Sequence, residues 1–293
     1  MTSKIKYILM ISLALISCDF RKSINKDLTT GLITKGNGLS CEEVWLSVDE
    51  EKTERNTFIY GEIFVMHFND MEGFRREEKC VFPGMIMSVT DEAGDTIFQT
   101  EDLYSNYLNG MSESPLLLKT SLTLGTPMHS NHNYTVFVKI WDKKSTGTFT
   151  AEMPFSIIQN EKISIEKSTI SYDEIYLYSA DRDRAITDGI AGFNENIYLI
   201  YEGLTGVTEE NEKVFPGFKL LATDHSQNVI LDYPDLFESY AETGINSFDF
   251  KTQFYVTIKF TQGQVENPIH CETILFDKKS SSKLKVSTDL ILK

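Results

Sequence analysis

The tetrapeptide Val81-Phe82-Pro83-Gly84 returns as Val214-Phe215-Pro216-Gly217, and it does not return alone. Thr90-Asp91 is answered by Thr223-Asp224, Asp102-Leu103-Tyr104 by Asp235-Leu236-Phe237, and Tyr107 by Tyr240. Trp141-Asp142-Lys143-Lys144-Ser145 is answered by Phe276-Asp277-Lys278-Lys279-Ser280. Upstream, Glu42-Glu43-Val44-Trp45-Leu46 is answered by Asp173-Glu174-Ile175-Tyr176-Leu177. The offset drifts only from 131 to 135 residues, so small loop insertions separate the copies. So many blocks in one order are not chance. They mean one structural unit built twice. The chain reads as two homologous domains, 39–158 and 161–293, each long enough to bury its own core. The seam at Gln159-Asn160-Glu161 is short, which places the domains close together with restricted freedom.

Each copy reads as β. In the first, the expected strands are Glu42–Val48, Phe58–Phe68, Val81–Thr90, Thr96–Gln99, Leu116–Leu124, Tyr134–Trp141 and Phe149–Ile158. Tyr134, Val136, Val138 and Ile140 alternate with Thr135, Phe137, Lys139 and Trp141, the period of a half-buried strand. Asp91-Glu92-Ala93-Gly94-Asp95 lies between two runs and suits a hairpin turn. One helical turn is expected near Leu103–Tyr107 and near Leu236–Tyr240. About seven short strands per copy give an all-β chain: two tandem antiparallel β-sandwich domains. In architecture the copies resemble immunoglobulin- or fibronectin-type modules. That resemblance makes Asn133-Tyr134-Thr135-Val136 the start of strand F, with Tyr134 as its corner tyrosine. Val136 then stands where the second immunoglobulin cysteine would be. In the second copy Cys271 takes that place, Ile269 replaces the tyrosine, and the facing strand Asn196–Glu202 has no cysteine, so the family's disulfide is absent.

The N-terminus carries a different message. Lys4 and Lys6 precede an apolar run from Tyr7 to Ile16, and Leu15-Ile16-Ser17-Cys18 follows. A basic head, a short apolar core and a small residue describe a secretory signal. The run is ten residues, and a membrane span needs about 20. Leu, a small residue and Cys at these spacings resemble a bacterial lipobox. The resemblance implies a signal peptide over 1–17, cleavage before Cys18, and acyl chains such as palmitate on Cys18. Residues 18–38 would then be a lipidated N-terminus and solvated tether. It places the protein in the cell envelope, anchored to a bacterial membrane, with the outer membrane or cell surface preferred. An ordinary signal peptide with a coincidental Cys18 is the rival reading.

The formal net charge is −15. Residues 39–159 hold nine basic and nineteen acidic side chains, residues 160–293 thirteen and twenty-two. Residues 19–38 are instead basic, four against two. Acidic domains exclude nucleic acid as a partner, because phosphate binding needs clustered Lys and Arg. Cys41, Cys80 and Cys271 have no metal-ligand spacing; Cys41 and Cys80 could pair, and spacing does not decide it. Cys271 is expected as a free, buried thiol.

No nucleophile elbow, HExxH or phosphate-binding glycine loop occurs, so no catalytic residues, metal ligands or cofactors are assigned. His129 and His132 lie in a polar loop without a third ligand and read as solvated. Asp91–Asp95 lacks calcium-loop spacing, and Asp181-Arg182-Asp183-Arg184 carries its own counter-charges. The shared Asp-Leu-aromatic motif reads as packing within each domain. Trp45, Phe137 and Trp141 fall on the outward phase of their strands, where they either stack on sugar or peptide or, as the preferred reading, pack beneath loops or at the contact between the domains.

The reading is therefore a non-catalytic binding or scaffolding role with a protein or glycan partner. A glycan-binding lipoprotein is the alternative, and an envelope hydrolase comes third. The loops Asp49–Asn56 against Ala180–Gly189, and Gly110–Pro115 against Glu242–Ser247, differ most between the copies and are the expected contact surfaces.

Overall fold

The computed structural model describes residues 22–166, 169–263 and 265–293, so the expected signal peptide and Cys18 lie outside the described residues. The first half contains β1 (Lys22–Lys26), β2 (Ile33–Asn37), β3 (Ser40–Val48), β4 (Glu51–Thr53), β5 (Thr57–Ile59), β6 (Ile63–Glu72), β7 (Pro83–Thr90), β8 (Thr96–Gln99), β9 (Leu118–Thr123), β10 (His132–Asp142) and β11 (Thr148–Ile158). The second half contains β12 (Ile163–Ile165), β13 (Glu174–Ser179), β14 (Arg184–Ala185), β15 (Ile190–Ala191), β16 (Ile197–Glu202), β17 (Glu209–Glu210), β18 (Lys213–Val214), β19 (Pro216–Thr223), β20 (Val229–Tyr233), β21 (Ile245–Asn246), α1 (Ser247–Thr252), β22 (Gln253–Ile258), β23 (Ile269–Asp277) and β24 (Lys283–Leu292). The chain is all-β.

The halves repeat one topology. In the first, one sheet runs β4-β3-β6-β9 and the other β1-β2-β11-β10-β7-β8, with β5 parallel to β11. In the second, the sheets run β14-β13-β16-β22 and β12-β24-β23-β19-β20, with β15 parallel to β24. Strands β3, β6 and β9 on one sheet against β7, β10 and β11 on the other is the partition of immunoglobulin strands A, B, E against C, F, G. Alternation fills the space between: Val136, Val138 and Ile140 are fully buried while Phe137, Lys139 and Trp141 face out. Fully burying each such side chain stabilises by roughly 1.5–3 kcal/mol. Two separate hydrophobic clusters result, one per half.

The shared sequence blocks build the same bonds twice. Asp102 accepts from the amides of Met85 and Tyr104 and pairs with Lys143 at 2.7 Å. Asp235 accepts from Phe218 and Phe237 and pairs with Lys278 at 2.7 Å. Asp142 binds the hydroxyl of Ser145 at 2.6 Å, and Asp277 that of Ser280 at 2.6 Å. Pro83 and Pro216 open their strands, and the glycines after them make room for a ring. A Cβ on Gly84 would lie 2.2 Å from Trp141, and one on Gly217 2.1 Å from Phe276. Tyr134 behaves as the corner tyrosine, its hydroxyl accepting from the His129 amide at 2.8 Å. The Tyr104 hydroxyl spans to β9, at the free edge of its sheet, where it bonds both the N–H and the C=O of Lys119. Phe237, at the matching place, has no such group.

The structure departs from the sequence reading in three places. Residues 22–37 are not solvated tether: β1 and β2 form a hairpin that extends the sheet by pairing β2 with β11. Polar Lys and Thr obscure it, and Ser23 to Lys26 of β1 are all exposed, so no apolar alternation marks the strand. The expected strand Phe58–Phe68 is two strands on different sheets. The chain crosses at Tyr60–Glu62, where Gly61 adopts φ +90°. Before β22 the second half carries α1, capped by Asn246, whose side chain accepts from Phe248 and Asp249. The expected turn near Leu236–Tyr240 is a short 3-10 helix at Glu238–Tyr240.

Candidate functional site

The outward face of the sheet β14-β13-β16-β22 is built from tyrosines. On β13, Ile175 and Leu177 point into the core, so Glu174, Tyr176 and Tyr178 point out. On β16 the outward residues are Tyr198, Ile200 and Glu202, and on β22 Gln253, Tyr255 and Thr257. Register aligns them in rows. Tyr178, Tyr198 and Thr257 form one, Tyr176, Ile200 and Tyr255 the next, and Glu174, Glu202 and Gln253 the last. The rings of Tyr198 and Tyr255 are 5.0 Å apart. Ile200, between two tyrosines, is only 6% exposed, whereas Tyr255 is 50% exposed. The Tyr178 hydroxyl donates to Asp183. Such a face is apolar in body and hydrogen-bonding at its tips, the chemistry that tyrosine brings to recognition surfaces.

The first half abuts the last row of this face. Tyr60 and Tyr176 each donate to Glu202, both at 2.9 Å, and their rings are 5.3 Å apart. Burial, reinforced by the Glu202 charge, holds both hydroxyls well above the usual phenol range, so they remain donors at neutral pH. The Ser130 amide donates to Glu174 at 2.7 Å. Burial pushes the Glu174 carboxyl above the ordinary carboxylate range, against the lowering effect of Ser130 and His129. Gly61 approaches Ala185 so closely that a Cβ there would lie 2.6 Å from the alanine methyl. Asp49 and Arg184 complete the junction with an ion pair at 2.5 Å. The seam is fixed too, since the Asn160 side chain donates to the carbonyls of Ile186 and Thr187.

The same face of the first half is different. Trp45 stacks on His67 with ring centroids 3.8 Å apart and planes at 5°, and Lys119 completes the row. Ser47, Val65 and Ser121 stand where the second half has Tyr178, Tyr198 and Thr257. The tyrosine surface is thus not shared by the copies.

The other residues singled out from sequence fall as follows. Phe137 and Trp141 lie on the outward face of the other sheet, Trp141 across Gly84. Asp91 accepts from the amides of Ala93 and Asp95 within its turn. Asp181, Arg182, Asp183 and Arg184 are all engaged, with Asn196, Glu195, Tyr178 and Asp49 respectively. The first pair of divergent loops therefore meets at Asp49–Arg184, inside the chain. His129 lies 3.7 Å from Glu174. Cys41, Cys80 and Cys271 are all free thiols, Cys271 buried, so Cys41 and Cys80 are not bridged. Among the described residues no three His, Cys, Asp or Glu are grouped to hold a metal ion. Sequence reasoning missed the tyrosine face. Its signal was the alternation of Tyr176 and Tyr178 with Ile175 and Leu177.

No protein-family model and no curated protein matches this chain. The solved structures similar to it include the following three. One, titled pT26-6p, is 10% identical with a TM-score of 0.26, and the match spans 92% of this chain but 65% of that one. The three FKBP domains of wheat FKBP73 match over 78% and 95% of the two chains, at 8% identity and TM-score 0.16. A collagen adhesin from S. aureus matches over 91% and 94%, at 10% identity and TM-score 0.15. Similarities this slight carry no argument about function.

Proposed function

We propose that this is a lipid-anchored cell-envelope protein with a non-catalytic binding role, and that its ligand lies on the tyrosine face of the second half. One observation carries the reading. Tyr178, Tyr198 and Tyr255 share a single sheet face beside the junction, at positions where the duplicated first half has Ser47, Val65 and Lys119. Positions that a fold needs stay alike in both copies, as Asp102 and Asp235 do; positions that serve one copy's task differ. The lipobox-like Cys18 supplies the anchor.

A glycan ligand is the second reading. The adjacent rings of Tyr198 and Tyr255 favour it, because sugar rings stack on such pairs while phenol hydroxyls reach their oxygens. The test immobilises the protein and measures capture of peptidoglycan fragments, envelope polysaccharide and detergent-solubilised envelope protein in parallel. Tyr198→Ala with Tyr255→Ala is expected to abolish capture and leave thermal unfolding nearly unchanged. Capture that survives the double variant, or that follows the divergent loops instead, overturns the assignment of the face. Loss of the polysaccharide or peptidoglycan signal alone identifies the ligand as a glycan. Cys18→Ala is expected to abolish acylation, and a processed, acylated Cys18→Ala protein would refute the anchor.

A further inference from the structure

We infer that the outward face of the sheet β1-β2-β11-β10-β7-β8 docks flat on an anionic bilayer surface. The inference rests on the anchoring reading above and adds an orientation to it. Register sets the composition of that face. Ile24 pairs with Lys35, Lys35 with Thr150, Thr150 with Lys139 and Lys139 with Ile86. Lys26 pairs with Ile33, Ile33 with Glu152 and Glu152 with Phe137, while Trp141 lies across from Thr148. Directly opposed residues share a face, so Lys26, Lys35 and Lys139 stand together among Ile24, Ile33, Ile86, Phe137 and Trp141.

Three features of this face point to a membrane. The first is charge. The chain as a whole carries −15, yet the acid within these rows is Glu152 alone, and Lys26, Lys35 and Lys139 form no ion pair among the described residues. The matching face of the second half is neutralised, with Lys285 held by Glu166 and Glu272. The second is exposed apolar surface. Ile24 is 75% exposed, and Leu28, at the tip of the hairpin, is 88% exposed. A tryptophan and a phenylalanine among lysines is the residue set of a membrane–water interface. The third is reach. Lys22 lies four residue steps beyond Cys18, a span of at most about 14 Å when extended. An acyl chain on Cys18 therefore delivers the β1 edge to the lipid headgroups. The acids elsewhere do not prevent contact, because charges beyond about 8–10 Å are screened at physiological salt.

The test places the acylated full chain on vesicles of phosphatidylglycerol and phosphatidylethanolamine with brominated acyl chains. Leu28→Trp adds a reporter at the hairpin tip, and Val229→Trp adds one on β20 of the second half, where Val229 is 61% exposed. Fluorescence is read as the difference from the parent chain. The tryptophan at 28 is expected to lose fluorescence and the one at 229 is not. Adding Lys26→Glu, Lys35→Glu and Lys139→Glu is expected to restore the tip signal. Loss of three basic contacts alone shifts the docked equilibrium about 100-fold. No quenching at 28, or equal quenching at 28 and 229, overturns the docking. Intact mass is read on the same samples. An unmodified Cys18 overturns the anchor and the docking with it, whereas an acylated chain with an unquenched tip overturns the docking alone.

Discussion

Asp235 is the sharpest place to ask whether the two halves are energetically separate. Its Oδ1 accepts from the amides of Phe218 at 3.1 Å and Phe237 at 2.9 Å, and its Oδ2 meets Lys278 at 2.7 Å. Burial alone would raise its carboxyl pKa, but Lys278 and the two amides outweigh that and hold it below the ordinary value. Asp235→Ala removes every one of these acceptors. An amide left without a partner costs about 1–3 kcal/mol, and two are left. Water reaches a side chain that is 18% exposed and recovers part of this, so a loss of about 3 kcal/mol is expected. Asp235→Asn keeps an oxygen for the amides and loses only the charge opposite Lys278, for about 1 kcal/mol. Asp102→Ala should cost the same, since its amide bonds are both 3.0 Å and its lysine contact 2.7 Å. The assay is urea unfolding followed by fluorescence and by circular dichroism together. Both tryptophans, Trp45 and Trp141, lie in the first half, so fluorescence sees that half alone. With a urea dependence of about 2 kcal/mol per molar, Asp102→Ala moves the fluorescence midpoint down by about 1.5 M. Asp235→Ala leaves that midpoint in place and moves only the dichroism. A loss below about 1 kcal/mol would refute the role given to these carboxylates. An equal fluorescence shift from Asp235→Ala would show that both halves unfold as one.

Three further outcomes are expected. Burial pushes the Cys271 thiol up to about 12, so thiol counting should find it unreactive in the native chain and reactive after unfolding; native reactivity or a mapped disulfide would contradict this. Glu174 holds its proton more tightly folded than unfolded, so its burden on stability is largest above the folded value and fades as pH falls toward 4.5. Stability of the parent relative to Glu174→Gln should therefore improve as pH falls from about 7, and a difference that ignores pH would refute it. Gly217→Ala forces the Phe276 ring aside and should cost about 1–3 kcal/mol; a neutral substitution would show that the ring has room to move.

Much of the fold was legible because it is written locally. Alternation at Tyr134–Trp141 gave β10 its faces, Asp91–Asp95 gave the β7–β8 hairpin, and the repeated blocks gave the duplication. Tyr134 as a corner residue followed from the resemblance to immunoglobulin-type modules, in which a tyrosine stands at the start of this strand. What stayed hidden depends on partners distant in sequence. The break at Gly61 is visible only because β5 finds β11 and β6 finds β9, each from another part of the chain. The β1–β2 hairpin lacks an apolar alternation of its own and is fixed by pairing with β11. The tyrosine face needs the register of three strands at once. Tyr176 and Tyr178 could be placed outward from their own strand, but Tyr198 and Tyr255 join them only through β16 and β22.

The bond from Tyr104 to Lys119 also governs how copies of this protein meet one another. A free sheet edge invites a neighbour's strand to hydrogen-bond along it, and crowding makes such encounters frequent. On β9 the Tyr104 hydroxyl already occupies the N–H and C=O of Lys119. An incoming strand would have to evict a side chain packed in the core before pairing at Lys119. The equivalent edge of the second half has Phe237 in that place and no such guard. Of these two edges, β22 is where strand-by-strand aggregation would begin.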